Sequence, residues 1–544
     1  MVSHYLGDHA AALSSPPSLR QTHRGVLPYA RHGQWPTPTI QGMHPPLPTV
    51  TGPTLGQRFA QAHPDFATAV QPTPVPRPQW LLRNLALGEQ LGLPHQWLDS
   101  DEALAVLSGN AVLQGSAPSA SVYSGHQFGA WAGQLGDGRA LMLGDWNHQG
   151  LRTEIQLKGA GPTPYSRRGD GRAVLRSSLR EYLASEAMHA LGVPTTRALA
   201  LVHSPLTVYR ERPETAAIVT RTAPSFVRFG HFEHFAHHGM PQALDALIAH
   251  VCTDLWPDLS RDFAGEERTA AMLARVAQRS AELVAAWQCM GFCHGVLNTD
   301  NMSVLGLALD YGPYQWMDAH IPDHICNHSD SYGRYAYAQQ PSVVHWNLQA
   351  LAVALSASVE REQVLADALS VYAPHYAQHL RQTMANKLGL GAVDERAVDL
   401  IHRWFDLLAE QGGDHTLSHR AISEALRDCG GDWTSMKEPP ASVAGALGQA
   451  TALSSWWSDA CAVWRAQAPT PAALGTLLCT INPRYVLRNH MAQQAIDAAE
   501  RGDVSVVEQL LCVLQAPFDE HPAHRAWATE VPAWAASLSV SCSS

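Results

Sequence analysis

The chain has 544 residues, 46% apolar and 16% charged, with a formal net charge of -11 and an isoelectric point near 6.2. That length holds one large domain or two to three ordinary ones, and the acidic balance argues against a nucleic-acid coat, since proteins that neutralise phosphate backbones are usually basic. No apolar run approaches the roughly 18 residues of a membrane span, and nine cysteines without a C-x-x-C pair suit reduced thiols rather than a disulfide framework.

The first 53 residues hold nine prolines and show neither helical nor alternating periodicity. Residues 1–54 are therefore expected to be a disordered extension. "MVSHYLGDHAAALSSPP" lacks the basic start and apolar core of a secretory signal, so the expected location is the cytoplasm. The folded chain is expected from Leu55, with "PTPVPRPQWLLRNLALGEQLGLP" leading into a helix over 80–91. Between 123 and 158 glycine-rich turns alternate with strand-like runs, "RALMLGD" and "RTEIQLKG". Ser177 reads as the N-cap of a helix to Leu191, stopped by Gly192 and Pro194. "RALALVHS", "LTVYRE" and "AAIVTRTA" read as further strands of one small mixed sheet.

After residue 240 apolar residues recur at three and four, as in "MLARVAQRSAELVAAWQCM" and "AVDLIHRWFDLLAEQ". The expected organisation is a strand-rich region at 55–240, a helical region at 241–430, and a helical extension with a cysteine-bearing tail at 431–544. The class is α+β. A strand-rich lobe followed by a larger helical lobe is the layout of the protein-kinase fold.

Five features stand in kinase order. "GQLGDGR" (133–139) precedes a strand, and its glycines let backbone N–H groups approach phosphate oxygens. Lys158 ends the strand "EIQLKG", where it either meets phosphates or snorkels to the surface. Glu181 follows on the next helix, placed to pair with Lys158 as in kinases, although a lone helix glutamate is usually just solvated. "HGVLNTDN" (294–301) keeps the His and Asn of the kinase loop H-R-D-x-x-x-x-N, with Val296 where the base should be and an acid, Asp300, before Asn301. In "LALDYGP", Asp310 matches the metal-binding Asp of Asp-Phe-Gly; with Asn301 it offers hard oxygen ligands to a divalent cation. Seven basic side chains between 152 and 180 (Arg152, Lys158, Arg167, Arg168, Arg172, Arg176, Arg180) face only Glu154 and Asp170. That concentration is either an anion site or a solvated basic face. Arg221 and Arg228 add two forks suited to a polyphosphate.

"YSGHQFGAWAGQLGDGRA", "LKGAGPTPYSRRGDGRAVLRSSLREYLASEAM", "GFCHGVLNTDNMSVLGLALDYGPYQWMD", "ICNHSD" and "NPRYVLRNHMAQQAI" together closely resemble the selenoprotein O (SelO, YdiU) family. The likeness runs from about residue 55 to the C-terminus. It implies a kinase-like fold and a protein adenylyltransferase that moves AMP, or UMP, onto Ser, Thr or Tyr hydroxyls, with ATP inverted relative to kinases. It further implies Asp300 as base and Asn301 and Asp310 as ligands of Mg²⁺ or Mn²⁺. Nucleotide contacts would come from Gly136, Gly138, Arg139, Lys158, Asp170, Gly171, Arg221, Arg228 and Asp310, with Glu181 paired to Lys158. Cys293 and Leu297 depart from the family's expected Val and Met. By the same likeness Cys542, on the tail, is expected to form a redox-controlled disulfide with Cys326. Expected partners are protein substrates and nucleotide, with neither nucleic acid nor membrane.

Two rivals share these residues: a phosphotransferase using the same metal pair, and a catalytically silent scaffold. Two other clusters are set aside. His231, His234, His237 and His238 in "HFEHFAHH" have helical spacings open to zinc, but clusters arise freely among 29 histidines. His324, Cys326 and His328 in "DHICNHSD" fall in an activation-segment position.

Overall fold

The computed structural model describes residues 47–447, 451–529 and 531–540. Its N-terminal part is built on an eight-stranded sheet: β1 (Ala67–Ala69), β2 (Gln79–Arg83), β3 (Ser119–Ser121), β4 (Ala140–His148), β5 (Leu151–Lys158), β6 (Ala173–Val174), β7 (Arg197–Tyr209) and β8 (Pro213–Ala223). The order across the sheet is β1-β3-β4-β5-β8-β7-β2, with β6 on β8. Each of these pairings is antiparallel. β4 and β5 form a hairpin whose tip, Gln149–Gly150, sits at positive φ (52° and 83°), the twist that two-residue hairpins favour.

Helix α1 (Leu175–Ala190) lies on one face of the sheet and buries twelve of its residues. The chain beyond the sheet is mainly helical and includes α2 (Phe229–His237), α3 (Gly265–Cys289), α4 (Gln340–Leu355), α5 (Tyr372–Leu388), α6 (Glu395–Gln411), α7 (His415–Arg427), α8 (Thr451–Gln467), α9 (Asn489–Glu500) and α10 (Ser505–Gln515). Their boundaries follow from local chemistry. Asp394, for instance, caps α6 by accepting from the Ala397 N–H at 2.8 Å, and Gly412 ends it in the left-handed region. One continuous core runs from Tyr182 and Leu183 of α1 through Trp287, Trp316 and Trp404 to Trp456. A smaller core, including Leu141, Leu143, Leu157 and Ile218, covers the opposite face of the sheet. The architecture is mixed, with a sheet-containing N-terminal part and a helical C-terminal part.

The expected elements differ from the observed ones at four places. The helix expected over 80–91 is a strand followed by a short helix, Leu85–Gln90, because Asn84 breaks the run and caps the helix through its side chain. Ser177 is not an N-cap: α1 starts directly from β6, and the Ser177 hydroxyl donates to the Val174 carbonyl inside the first turn. "RALALVHS" and "LTVYRE" form one 13-residue strand, with a register shift between Ser204 and Thr207 standing in for the expected break. Finally, the proline-rich extension expected over 1–54 is structured at its end, where Thr49–Val50 pairs in parallel with Val112–Leu113. Residues 1–46 of that expectation lie outside the described residues.

Candidate active site

A cleft of about 570 Å³ is lined from the sheet, from α1 and from the loops preceding α4. Directly opposed residues of an antiparallel pair share a face, as do residues two apart. β5 and β8 pair Gln156 with Arg221 and Lys158 with Val219, so the three side chains share one face: Lys158 and Arg221 reach the cleft, and the buried Gln156 accepts from Arg221 behind it. Glu181 of α1 meets them there, its carboxylate 2.6 Å from Lys158 Nζ and 2.9 Å from Arg221 Nη1.

Asp310 completes this cluster. Its carboxylate is 3.1 Å from Lys158 Nζ and also bonds Nη1 of Arg221 and Nη1 of Arg228. Burial alone would raise both carboxyls, but the cations outweigh it, and Asp310 and Glu181 lie below the usual carboxylate range. Asp310 also has a φ of 56°, a conformation that costs a non-glycine residue about 1–3 kcal/mol and persists only where its surroundings impose it.

The loop 294–301 is fixed from several sides. The buried His294, whose imidazole burial holds below its usual range, reaches the Leu309 carbonyl through Nε2 at 3.2 Å, tying this loop to the Asp310 loop. Its backbone N–H donates to Gln340 of α4 at 2.9 Å, and Asn347 Nδ2 donates to the Leu297 carbonyl at 3.0 Å. The final turn, Thr299–Asn301, places Asp300 in the cleft. Burial pushes the Asp300 carboxyl up to about 6, against the pull of Arg228. Gln127 Nε2 is 3.3 Å from Oδ2, while Oδ1 is buried with no hydrogen-bond partner among the described residues. The carboxyl thus lines the cleft with a raised pKa and one oxygen unmatched by any donor among the described residues.

All twelve proposed cleft residues lie on this one surface: Gly136, Gly138, Arg139, Lys158, Asp170, Gly171, Glu181, Arg221, Arg228, Asp300, Asn301 and Asp310. Gly136 and Gly138 have a packing reason beside any ligand, because a Cβ on either would collide with Tyr165. Asp170 stands at the rim, where two hydrogen bonds from Arg210 hold its carboxyl below the usual range. The basic run from 152 to 180 divides. Lys158, Arg167 and Arg172 line the cleft, but Arg152 faces Asp145 and Asp254, Arg176 pairs with Glu214, and Arg180 bonds Asn489 and the Tyr314 carbonyl. The "HFEHFAHH" histidines serve α2 instead: His231 accepts from the Arg228 N–H at 3.0 Å and His234 contacts Ser124 at 2.9 Å.

Several cleft residues carry no signal in isolation. Asp137 is buried and accepts from the Ser121 N–H and hydroxyl, pinning the glycine loop from beneath. Asn298 accepts from the Phe128 N–H and the Tyr335 hydroxyl. Gln127 and Phe128 sit on a hairpin, Ser124–Gln127 and Ala130–Gln134, that "YSGHQFGAWAG" does contain but whose short, glycine-interrupted strands mask its pattern.

Cys326 is buried. Its thiol donates to the Cys293 carbonyl at 3.5 Å, and its sulfur leaves no room for a side chain at Gly295. Cys542 lies outside the described residues.

Comparison with known proteins agrees over most of the length. The sequence pattern of the family described as "Protein adenylyltransferase SelO" matches residues 54–515. The "Protein nucleotidyltransferase YdiU" of Variovorax paradoxus (strain S110) is 48% identical over 488 residues, covering 89% of this chain and 96% of that one. The like-named protein of Bordetella avium (strain 197N) is 46% identical over 90% of this chain and 98% of its own. That of Burkholderia thailandensis is 45% identical, with shares of 91% and 96%. A match of this extent makes the chain a member of the SelO family of protein adenylyltransferases.

Proposed function

We propose that this enzyme, on a protein-kinase-like two-lobed fold, transfers AMP from ATP to Ser, Thr or Tyr hydroxyls of protein substrates, with UMP from UTP as the variant reaction. The observation that carries the reading is the pairing of two unlike carboxylates in one cleft. Asp310 is ringed by Lys158, Arg221 and Arg228, whereas Asp300 keeps a free buried oxygen and an elevated pKa. Environments that push two carboxyls apart in this way divide their labour between charge holding and proton transfer.

In this reading Lys158, Arg221 and Arg228 bind phosphate oxygens, and Glu181 keeps Lys158 aimed into the cleft. Asp300 accepts the proton of the acceptor hydroxyl, whose oxygen bonds the α-phosphorus as the bond to the pyrophosphate leaving group breaks. The ionised Asp310 and the Asn301 side chain, both in the cleft, are hard oxygen donors that fit a divalent cation. Bound there, Mg²⁺ or Mn²⁺ supplies neutralisation of triphosphate charge. ATP labelled separately at the α- and γ-phosphates tests the assignment. Protein-bound α-label is expected; γ-label indicates a phosphotransferase, and neither label a scaffold.

The proposed setting is the cytoplasm. Eight described cysteines are unpaired, which fits a reducing compartment, and no helix of the described residues is long and apolar enough to cross a membrane. The Cys326–Cys542 disulfide remains part of the proposal, as a bond formed under oxidising conditions. Its support is the path of the tail: the His328 N–H donates to the Val540 carbonyl at 3.0 Å, two residues from each cysteine. Peptide mapping of the oxidised protein without reductant is expected to yield a Cys326–Cys542 crosslink, and an unmodified Cys542 would remove the idea.

A further inference from the structure

The hairpin above the 298–300 loop turns on two residues, Phe128 and Gly129, both at positive φ (51° and 80°). Such tips usually carry Asn-Gly, Asp-Gly or Gly-Gly, because a side chain at the first position is strained. Here a phenylalanine occupies it. Strain of this kind is kept where surrounding structure enforces it, and the enforcement is visible. The Phe128 N–H donates to the Tyr335 hydroxyl at 2.8 Å and to Asn298 Oδ1 at 3.2 Å. The His126 N–H donates to Thr299 Oγ1 at 2.8 Å, and a Cβ on Gly125 would stand 2.7 Å from that same oxygen. The hairpin is thus clamped onto the loop that carries Asp300.

The clamp does not bury the phenylalanine. Its ring leans on Tyr335 with centroids 5.1 Å apart, yet the residue stays 43% exposed and lines the cleft together with Asp300. A ring held rigidly, at a conformational cost, half-open beside the proposed base is suited to meet the group that approaches that base. Much of the surrounding lining is charged or glycine, and Val296 adds a partly open apolar side chain to it.

We propose that Phe128 determines acceptor specificity, its ring packing against the acceptor side chain so that a tyrosine is modified in preference to serine or threonine. Offset and edge-to-face contacts favour an aromatic acceptor, and a phenol presents its hydroxyl farther from its backbone than serine does. This inference rests on Asp300 acting as the base in nucleotide transfer.

The test uses full-length protein, α-labelled ATP and a peptide library with one central Tyr, Ser or Thr in random flanks, modified sites being counted by mass spectrometry. Wild type is expected to favour Tyr by about tenfold or more in kcat/KM. Phe128→Ala is expected to lower that Tyr-to-Ser ratio about tenfold, through KM for the acceptor, with ATP affinity by calorimetry held within about twofold. Phe128→Tyr keeps the preference. Phe128→Leu, which keeps apolar bulk without a ring, loses it and serves should the alanine variant not fold. Equal Tyr and Ser use by wild type, or equal losses on both acceptors in the ring-less variants, overturns the role of Phe128. Absence of α-label from both library and enzyme overturns the transfer reading itself, and this inference with it.

Discussion

Replacing Asp310 by alanine is expected to abolish transfer of α-label to protein, with a fall of at least about a hundredfold, or about 3 kcal/mol of transition-state stabilisation. Two effects add. The variant loses an ionised oxygen donor proposed for the metal, and it strips Arg228, Arg221 and Lys158 of a shared counter-charge. Unpairing buried charge also lowers stability, by about 3–5 kcal/mol for a fully buried pair. Asp310→Asn therefore serves as companion: it keeps the shape and one oxygen, unfolds nearer to wild type, and is still expected to be severely impaired. Asn301→Ala is expected to fail in the same way, with less thermal penalty because its side chain carries no charge. Transfer at a near wild-type rate by Asp310→Ala would refute the proposed metal site.

The second large effect is expected at Asp300, and it falls on turnover. Asp300→Asn should reduce kcat about a hundred- to ten-thousandfold, the usual worth of a positioned base. Nucleotide affinity by calorimetry should stay within about twofold to threefold. The acid limb supplies a second reading. A carboxyl raised to about 6 is ionised above that pH and protonated below it, and only the ionised form accepts a proton. Wild-type kcat/KM should thus fall as pH drops through about 6, and the residual rate of Asp300→Asn should lack that limb. A large loss of affinity with normal turnover at saturation would remove Asp300 from the role of base.

The parts legible in the sequence are those whose meaning lies in order. Lys158, Glu181, Asn301 and Asp310 follow one another as in a known scheme, and chain order survives folding. Direction does not. Arg152, Arg176 and Arg180 belong to a dense run of positive charge, yet each leaves the cleft for Asp254, Glu214 or Asn489, because counting charge along a chain ignores which way a side chain points. Asn84 shows the same limit for the backbone: an apolar run read as one helix is cut by a single capping side chain. Phe128 was hidden for a subtler reason. Its importance lies in a positive φ and a half-open ring, and neither property is written in residue type.

Helix α1 carries Glu181 into the cleft, and it is held along its length. Arg180, beside Glu181, reaches Asn489 at the start of α9 through one nitrogen and the Tyr314 carbonyl through another, while its own carbonyl accepts from the Tyr314 hydroxyl. Both α9 and α10 pack on it from the far end of the sequence. A helix free to swing would be a natural throttle, since moving Glu181 away would let go of Lys158. Here α9 and α10 brace the helix against that swing. Removing those two helices is expected to loosen Lys158, the residue proposed to grip the nucleotide, from a distance.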